Sequence, residues 1–153
     1  MNRPNIVLIL TDDQGPWALG CCGTPELFTP NLDALARDAL RMDRFYCASP
    51  VCSPARASLM TGLMPGCHGI LDWISAGSMA GDDGEGGEPI LYLEGYEGYT
   101  DVLARNGYDC GLSGKWHMGD SLRPQMSFSY WYAHQFGGGP YHGAPMIRDG
   151  RPY

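Results

Sequence analysis

The first apolar run of the chain covers residues 6–10, and all five side chains are aliphatic. Pro4 stands before the run, and the polar segment T-D-D-Q-G follows it. A short, continuous apolar run rich in branched residues indicates a strand in the centre of a parallel sheet. Ligands of such sheets bind at the carboxyl ends of the strands, so Asp12 and Asp13 stand where a site is expected.

A helical pattern follows the first run. Thr29 and Pro30 are typical of an N-cap and of the first helical position. Apolar residues then recur at the spacing of one helix face, at positions 32, 35, 36, 39 and 40. This stripe predicts a helix packed on a sheet, and residues 44–48 read as a further short strand. Alternating strands and helices indicate the start of a doubly wound α/β fold.

The segment 51–62, V-C-S-P-A-R-A-S-L-M-T-G, predicts a second helix. Pro54 suits a first helical turn, and Gly62 suits the position just after a helix end. Cys52 would lie at the N-terminus, where unpaired N–H groups, the helix dipole and Arg56 favour an anion. A thiolate nucleophile is one reading of this arrangement, and a buried cysteine before a short helix is another. Ser58 stands where a C-x5-R phosphatase loop would need arginine.

The second half of the chain predicts a short helix that Thr100 and Asp101 cap, that carries residues 102–104 and that Asn106 and Gly107 end. A strand over 108–112 follows. The segment S-G-K-W-H-M-G follows that strand, so Lys115 and His117 are expected at its carboxyl end.

Weaker signals surround these elements. The acidic, glycine-rich residues 81–87 indicate a surface loop, and the last seven residues resemble a hairpin. Trp73 suits either a sugar-stacking site or, as we favour, the edge of the core. His68 suits either the border of a site or a loop position bonded to backbone.

The composition sets limits on the function. The chain has 153 residues, of which 44% are hydrophobic, enough for one domain with a core. A formal net charge of −7 without a basic run argues against a nucleic-acid partner. The six cysteines form no C-x-x-C pair, which gives no support to a zinc cluster. The first apolar run is too short for a signal peptide or a membrane span, so we expect a cytoplasmic protein with no membrane partner.

Three segments in order resemble the sulfatase family: N-I-V-L-I-L-T-D-D-Q-G, C-x-P-x-R followed by A-S-L-M-T-G, and G-K-W-H-x-G. The resemblance spans nearly the whole chain, 1–153, but only the N-terminal part of that family's catalytic domain. It implies an alkaline-phosphatase-like α/β fold, in which helices flank a doubly wound, mostly parallel sheet. That sheet would be incomplete at the C-terminus of this chain.

The resemblance also implies roles for individual residues. Cys52 would be the precursor of formylglycine, made by a formylglycine-generating enzyme, and its hydrated aldehyde would be the nucleophile. Asp12, Asp13 and the residue at position 52 would bind a calcium ion. Arg56 would hold formylglycine, Lys115 would bind the sulfate, and His117 would deprotonate the remaining hydroxyl. The implied substrate is a sulfate ester, and the aromatic residues in the loops favour a sulfated carbohydrate over a simple aryl sulfate.

Two alternatives stay open. The chain could belong to a phosphonate monoester or phosphodiester hydrolase of the same superfamily, which can use the same nucleophile. It could also be a catalytically inactive fragment, because the family's second pair of metal ligands, a second lysine and a further histidine have no counterpart here. If the chain alone binds calcium tightly, Asp82, Asp83 and Glu85 become the first candidates for the missing ligands.

Overall fold

The structure of the protein is a computed structural model that describes residues 3–75 and 90–153. The chain forms two compact units, Met1–Tyr46 and Cys47–Tyr153. The acidic loop expected at 81–87 lies outside the described residues. In the two described ranges, no helix combines the length and the hydrophobicity that a membrane span requires.

The first unit contains one short 3-10 helix, Gly20–Cys22, and the helix α1, Pro30–Asp38. The predicted start of α1 is confirmed, with Thr29 at the N-cap position and proline first in the helix. The Thr29 hydroxyl does not cap the helix. It accepts the Gly20 N–H (2.9 Å) and donates to Asp33 Oδ1 (3.0 Å), which ties the 3-10 helix to α1.

Three predictions for residues 6–48 are wrong in this structure. Residues 6–10 and 44–48 form no strand, and Val7 and Ile9 are 81% and 77% exposed. Helix α1 buries none of its residues, and the described part of the first unit contains no sheet on which its apolar stripe could pack. A strand depends on a hydrogen-bonded neighbour, and residues 6–10 have none among the described residues.

The second unit contains three helices: α2, Cys52–Thr61; α3, Pro65–His68; and α4, Tyr99–Arg105. The prediction for α2 is confirmed. Gly62 ends it with a φ of 71° and donates its N–H to the Ser58 carbonyl (2.8 Å). Helix α4 begins at Tyr99, so the cap predicted at Thr100 and Asp101 lies too late. Gly98 is the N-cap, and its N–H donates to the Asp101 carboxylate (2.7 Å) within the first turn.

The second unit also contains a four-stranded sheet in the order β1, Cys110–Gly114; β2, Phe128–His134; β3, Met146–Arg148; and β4, Arg151–Pro152. Strands β1 and β2 pair in parallel, and the other two pairings are antiparallel. Strand β1 lies two residues later than predicted, and β2 was not predicted. The hairpin is confirmed, and its turn residues Asp149 and Gly150 both have a positive φ, which suits the twist of paired strands.

Aromatic side chains form the centre of the core of the second unit. Trp116 and Trp131 are fully buried, and their rings pack edge to face with centroids 5.2 Å apart. Phe128 packs against both of them. The buried Trp131 Nε1–H donates to the Ser121 carbonyl (2.8 Å), which satisfies its polar group. Because Trp116 is neighbour to both Lys115 and His117, this packing anchors the segment that carries the candidate site.

Candidate active site

Cys52 is the first residue of α2, and it is half-buried. Val51 before it is extended, with a φ of −110°, so the chain enters the helix directly at the cysteine. The first backbone N–H groups of a helix have no partner within it, and the helix dipole makes this end positive. The side chain at position 52 therefore lies where negative charge is stabilised.

His117 contacts Cys52 directly. The Cys52 Sγ lies 3.2 Å from His117 Nδ1, although the two residues are 65 positions apart in sequence. On the other side of the ring, His117 Nε2 lies 3.0 Å from the Ile74 carbonyl oxygen. A carbonyl only accepts, so Nε2 carries the hydrogen, and in the neutral ring Nδ1 is left with its lone pair toward position 52.

The backbone of His117 is strained. It has a φ of 56°, in the left-handed region that side chains other than glycine seldom adopt, and its side chain is 1% exposed. The edge of the exposed Trp73 ring lies against the imidazole, with centroids 5.7 Å apart. The backbone of Gly137 packs so closely on the ring that a Cβ there would overlap it. Strained residues held by their surroundings cluster at functional sites.

Arg56 joins α2 to the segment that follows β1. Its Nη1 donates to the Lys115 carbonyl oxygen, with a distance of 2.8 Å. Arg56 and Lys115 are both half-buried. The structure thus brings four of the predicted site residues together. Cys52 contacts His117, and Arg56 contacts Lys115, which precedes His117 by two residues.

Asp12 and Asp13 lie in the first unit and are exposed. Asp13 has a φ of 53°, a conformation that aspartate tolerates in turns. Their carboxylate oxygens are the type of ligand that calcium prefers, so the donor chemistry fits that ion. Among the described residues, no group of three or more histidine, cysteine, aspartate or glutamate side chains could hold a metal. The described residues therefore assemble no metal site around these two carboxylates.

The structure decides between the alternative interpretations of His68 and Trp73. His68 is buried at the end of α3, where it accepts the Ile70 N–H at Nδ1 (3.2 Å), as the backbone-bonded interpretation expects. Its Nε2 therefore donates to Ser58 Oγ (2.9 Å), and burial lowers its pKa. Trp73 is 55% exposed, so the expectation that it belongs to the core is wrong.

The sequence interpretation missed three residues that contact or support His117: Ser53, Ile74 and Gly137. Ser53 is fully buried, and its Oγ accepts the Ile74 N–H (3.2 Å). Its position next to Cys52 was the one available signal. The other two are brought to the ring by chain folding over long separations, which no local pattern indicates.

The fold and the site together indicate the class of protein to which the chain belongs. The chain is an α/β protein whose candidate site follows the carboxyl end of a parallel strand and includes a helix N-terminus, an arrangement typical of anion-binding sites. The sulfatase family model matches residues 4–142. The chain therefore belongs to the sulfatase family.

Comparisons with individual relatives support this assignment. The chain is 40% identical to human arylsulfatase A over 143 residues, which cover 90% of this chain and 25% of the relative. It is 36% identical to human N-acetylgalactosamine-6-sulfatase over 152 residues, which cover 97% of this chain and 28% of the relative. Human steryl-sulfatase is 33% identical over 153 residues, 99% of this chain and 25% of its own length. The chain thus spans about a quarter of the length of these relatives.

Solved structures show the same fold. One of them, BT4656 in complex with its substrate D-glucosamine-2-N,6-O-disulfate, matches with a TM-score of 0.76 and 27% identity. The match covers 99% of this chain and 28% of that one. A second, from work on glycosaminoglycan metabolism in Bacteroides thetaiotaomicron, matches with a TM-score of 0.72 and 23% identity over 93% of this chain and 30% of that one. The expected alkaline-phosphatase-like α/β fold is therefore confirmed.

Proposed function

We propose that this chain carries the nucleophile side of a site that hydrolyses sulfate esters, with Cys52 as the precursor of formylglycine. The contact between Cys52 and His117 is the observation that carries the proposal. This contact joins two segments that resemble the family's nucleophile and G-K-W-H motifs. It also places a proton acceptor, His117 Nδ1, opposite position 52. Family membership supports the same reaction class.

The residues of the chain suit the charges of this reaction. A sulfate ester is an anion, and its transition state builds charge on the sulfate oxygens and on the leaving oxygen. Arg56 lies on α2 and binds the Lys115 carbonyl oxygen, so both of these cations belong to segments that meet near the nucleophile position and would offset this charge. The start of α2 adds its dipole.

Hydrated formylglycine at position 52 would supply a hydroxyl that attacks sulfur. The bond from sulfur to the ester oxygen would break, and the proton of the attacking hydroxyl would pass to the departing alcohol. His117 Nδ1 would accept the proton of the second hydroxyl, so that the bond from carbon to the sulfate oxygen breaks, sulfate leaves and the aldehyde is restored.

A calcium ion would be held by Asp12, Asp13 and the modified residue 52. When bound, it would polarise the sulfate oxygens as a Lewis acid. Calcium takes about six to eight oxygen ligands, so further ligands must come from water or from other protein groups.

We propose a sulfated carbohydrate as the substrate. The name of one relative specifies N-acetylgalactosamine-6-sulfate, and the ligand of one structural neighbour is a sulfated glucosamine. The exposed Trp73 ring beside His117 offers a flat apolar surface of the kind that packs on sugars.

The modification can be tested by mass spectrometry after co-expression with a formylglycine-generating enzyme. Trypsin releases one peptide, 45–56, that contains both Cys47 and Cys52, so Cys47 is an internal control for alkylation. We expect iodoacetamide to label Cys47, while position 52 loses sulfur, gains oxygen and reacts with a hydrazide. Two alkylated cysteines in every preparation would contradict the formylglycine mechanism.

The reaction class can be tested with paired substrates. The preparation is the chain joined to the remaining catalytic-domain segment of a sulfatase relative, and the same fusion with Cys52→Ala is the blank. Glucosamine-6-sulfate, an aryl sulfate and the phosphate ester of the same aryl alcohol are compared as substrates. We expect sulfate release to be faster than phosphate release. We also expect glucosamine-6-sulfate to be hydrolysed faster than the aryl sulfate. A higher rate on the phosphate ester would favour the phosphodiester or phosphonate alternative. Turnover by a preparation in which Cys52 is still a thiol would favour a cysteine nucleophile.

A further inference from the structure

Three hydrogen bonds connect the start of α2 to the ring of His117 and back again. The Ile74 N–H donates to Ser53 Oγ (3.2 Å), and the Ile74 carbonyl accepts from His117 Nε2 (3.0 Å). His117 Nδ1 then faces Cys52 Sγ (3.2 Å). The loop closes on itself, because Cys52 and Ser53 are adjacent residues of the same helical turn.

Three of the four residues in this loop are sheltered from water. Ser53, Ile74 and His117 are 0%, 5% and 1% exposed. A buried backbone N–H needs an acceptor, and the Ser53 hydroxyl is the one that meets the Ile74 amide. Residue 74 is therefore held by its amide in the orientation that aims its carbonyl at Nε2. Without that carbonyl in place, nothing in this loop would select the tautomer that leaves the Nδ1 lone pair toward position 52.

We propose that Ser53 is a positioning residue, which acts through the Ile74 peptide group to hold His117 in the Nε2–H tautomer with Nδ1 facing the nucleophile position. The helical turn that presents the nucleophile thereby also sets the orientation of its base. The significance for catalysis rests on the proposed function, in which His117 accepts a proton from residue 52. The proposed orientation and tautomer of the His117 ring do not depend on that function.

Nitrogen NMR of the histidine rings tests the geometric claim in the chain with Cys52 unmodified and at one fixed pH. Ring ¹⁵N labelling reports the tautomer of each histidine, and His117→Gln identifies the His117 signals. The variants are Ser53→Ala and, as a matched control on the same helix, Ser58→Ala. Ser58 Oγ pairs with His68 Nε2.

The two variants should affect different rings. We expect wild-type His117 to be the Nε2–H tautomer, and Ser53→Ala to shift its two nitrogen signals toward averaged values while His68 is unchanged. Ser58→Ala should shift His68 and leave His117 unchanged. The Ile74 amide should exchange faster with solvent in Ser53→Ala alone, and Ser53→Thr, which keeps the hydroxyl, should restore slow exchange.

Unchanged His117 signals in Ser53→Ala would overturn the proposal. So would equal shifts of both rings, since that result would mean a general loosening of the helix. Should Ser53→Ala fail to fold, the wild-type spectrum still decides, because a His117 ring in the Nδ1–H tautomer is incompatible with the proposed role.

Kinetics separate this inference from the proposed function. In a preparation that releases sulfate, Ser53→Ala should lower kcat per formylglycine by up to about 100-fold with little change in KM, the effect of a small misplacement of a catalytic group. Ser58→Ala should leave kcat unchanged. A normal kcat in Ser53→Ala would overturn the positioning role alone. If a preparation in which the chain is joined to the remaining catalytic-domain segment of a sulfatase relative releases no sulfate, the proposed function fails. The ring spectra then decide the geometric claim by themselves.

Discussion

The conformation of His117 is the most unusual feature of the site at the scale of single residues. Its φ of 56° costs free energy, of the order of 1 to 3 kcal/mol for a residue in a sparsely populated region. Packing must offset this cost. The ring meets the Ile74 carbonyl on one side and the Gly137 backbone on another, so both contacts help to hold the strained residue.

Replacement of Gly137 by alanine should displace the His117 ring. A Cβ at position 137 would overlap the imidazole, and the buried glycine has little room to move away. We expect a folded protein with shifted His117 nitrogen signals and a clear loss of any sulfate release. Ring NMR and an activity assay measure the two effects.

Gly138→Ala is the matched control. Among the described residues, no atom lies within 4 Å of a Cβ built at position 138. This variant should behave as wild type in both assays. Equal effects of the two substitutions would show that the segment is sensitive in general, and would contradict the specific contact.

Lys115→Ala and Arg56→Ala should reduce catalysis. Each removes a cation that is proposed to meet charge in the transition state, and loss of a comparable donor costs roughly 10²–10³ in rate. For Lys115→Ala we expect turnover to fall with little change in the unfolding midpoint. Arg56→Ala should also lower stability slightly, because it removes the hydrogen bond to the Lys115 carbonyl.

The control for these variants is Arg105→Ala, which removes an exposed cation that pairs with Glu97 in another part of the second unit. It should have near-normal turnover. Near-normal turnover in Lys115→Ala would refute the role given to that lysine.

At the scale of elements, local signals placed helix ends better than strands. The starts of α1, α2 and α4 depend on proline or on a side-chain cap within a few residues. Strand β2 has no such local signal, although the aromatic content of F-S-Y-W-Y-A-H is typical of strands and could have indicated it. Residues 6–10 have a strand-like composition but no strand partner among the described residues.

The end of α2 provides a stability prediction. Gly62→Ala should destabilise the protein by about 1 kcal/mol, because an alanine must adopt the left-handed φ of 71° that ends the helix. Gly66→Ala, within α3 and without a positive φ, should be neutral or slightly stabilising. Chemical denaturation of the two variants measures the difference. Equal stabilities would contradict the conformational explanation.

The contact between α2 and α3 predicts a loss of stability in mild acid. Burial lowers the pKa of His68 below 6.5, so between about pH 6.5 and the lower folded pKa the unfolded chain binds a proton that the folded chain does not. The free energy of unfolding should fall over this window as the pH decreases, by about 1.4 kcal/mol for each unit of the shift.

Denaturation of wild type and His68→Gln at about pH 7.5 and about pH 5.5 tests this contribution. The pH dependence should be smaller in the variant. His142→Gln, a change at an exposed histidine, is the control and should keep the wild-type dependence. An unchanged dependence in His68→Gln would exclude His68 as its source.

At the scale of the whole molecule, we predict that these 153 residues alone release little or no sulfate. As proposed calcium ligands, Asp12, Asp13 and a modified residue 52 would supply too few oxygen atoms, because calcium takes about six to eight. A weakly held ion would polarise the sulfate poorly and orient the nucleophile poorly, so both contributions to the rate fall together.

Calcium titration and a sulfate assay on the purified chain test this prediction. A variant with Asp12→Asn and Asp13→Asn shows how much of any calcium affinity these carboxylates provide. Tight calcium binding together with turnover would contradict the prediction. Asp82, Asp83 and Glu85, which lie outside the described residues, would then be the next positions to replace.

The amino-acid sequence by itself determined the family, the class of fold and the four side chains that the second unit gathers. Those conclusions rest on short motifs and on helix ends, which depend on neighbours a few residues away. Only the tertiary structure decided that Cys52 faces His117 Nδ1, that Ile74 and Ser53 hold the ring, and that Trp73 is exposed. These facts depend on contacts between residues up to 65 positions apart, and on the burial that those contacts create.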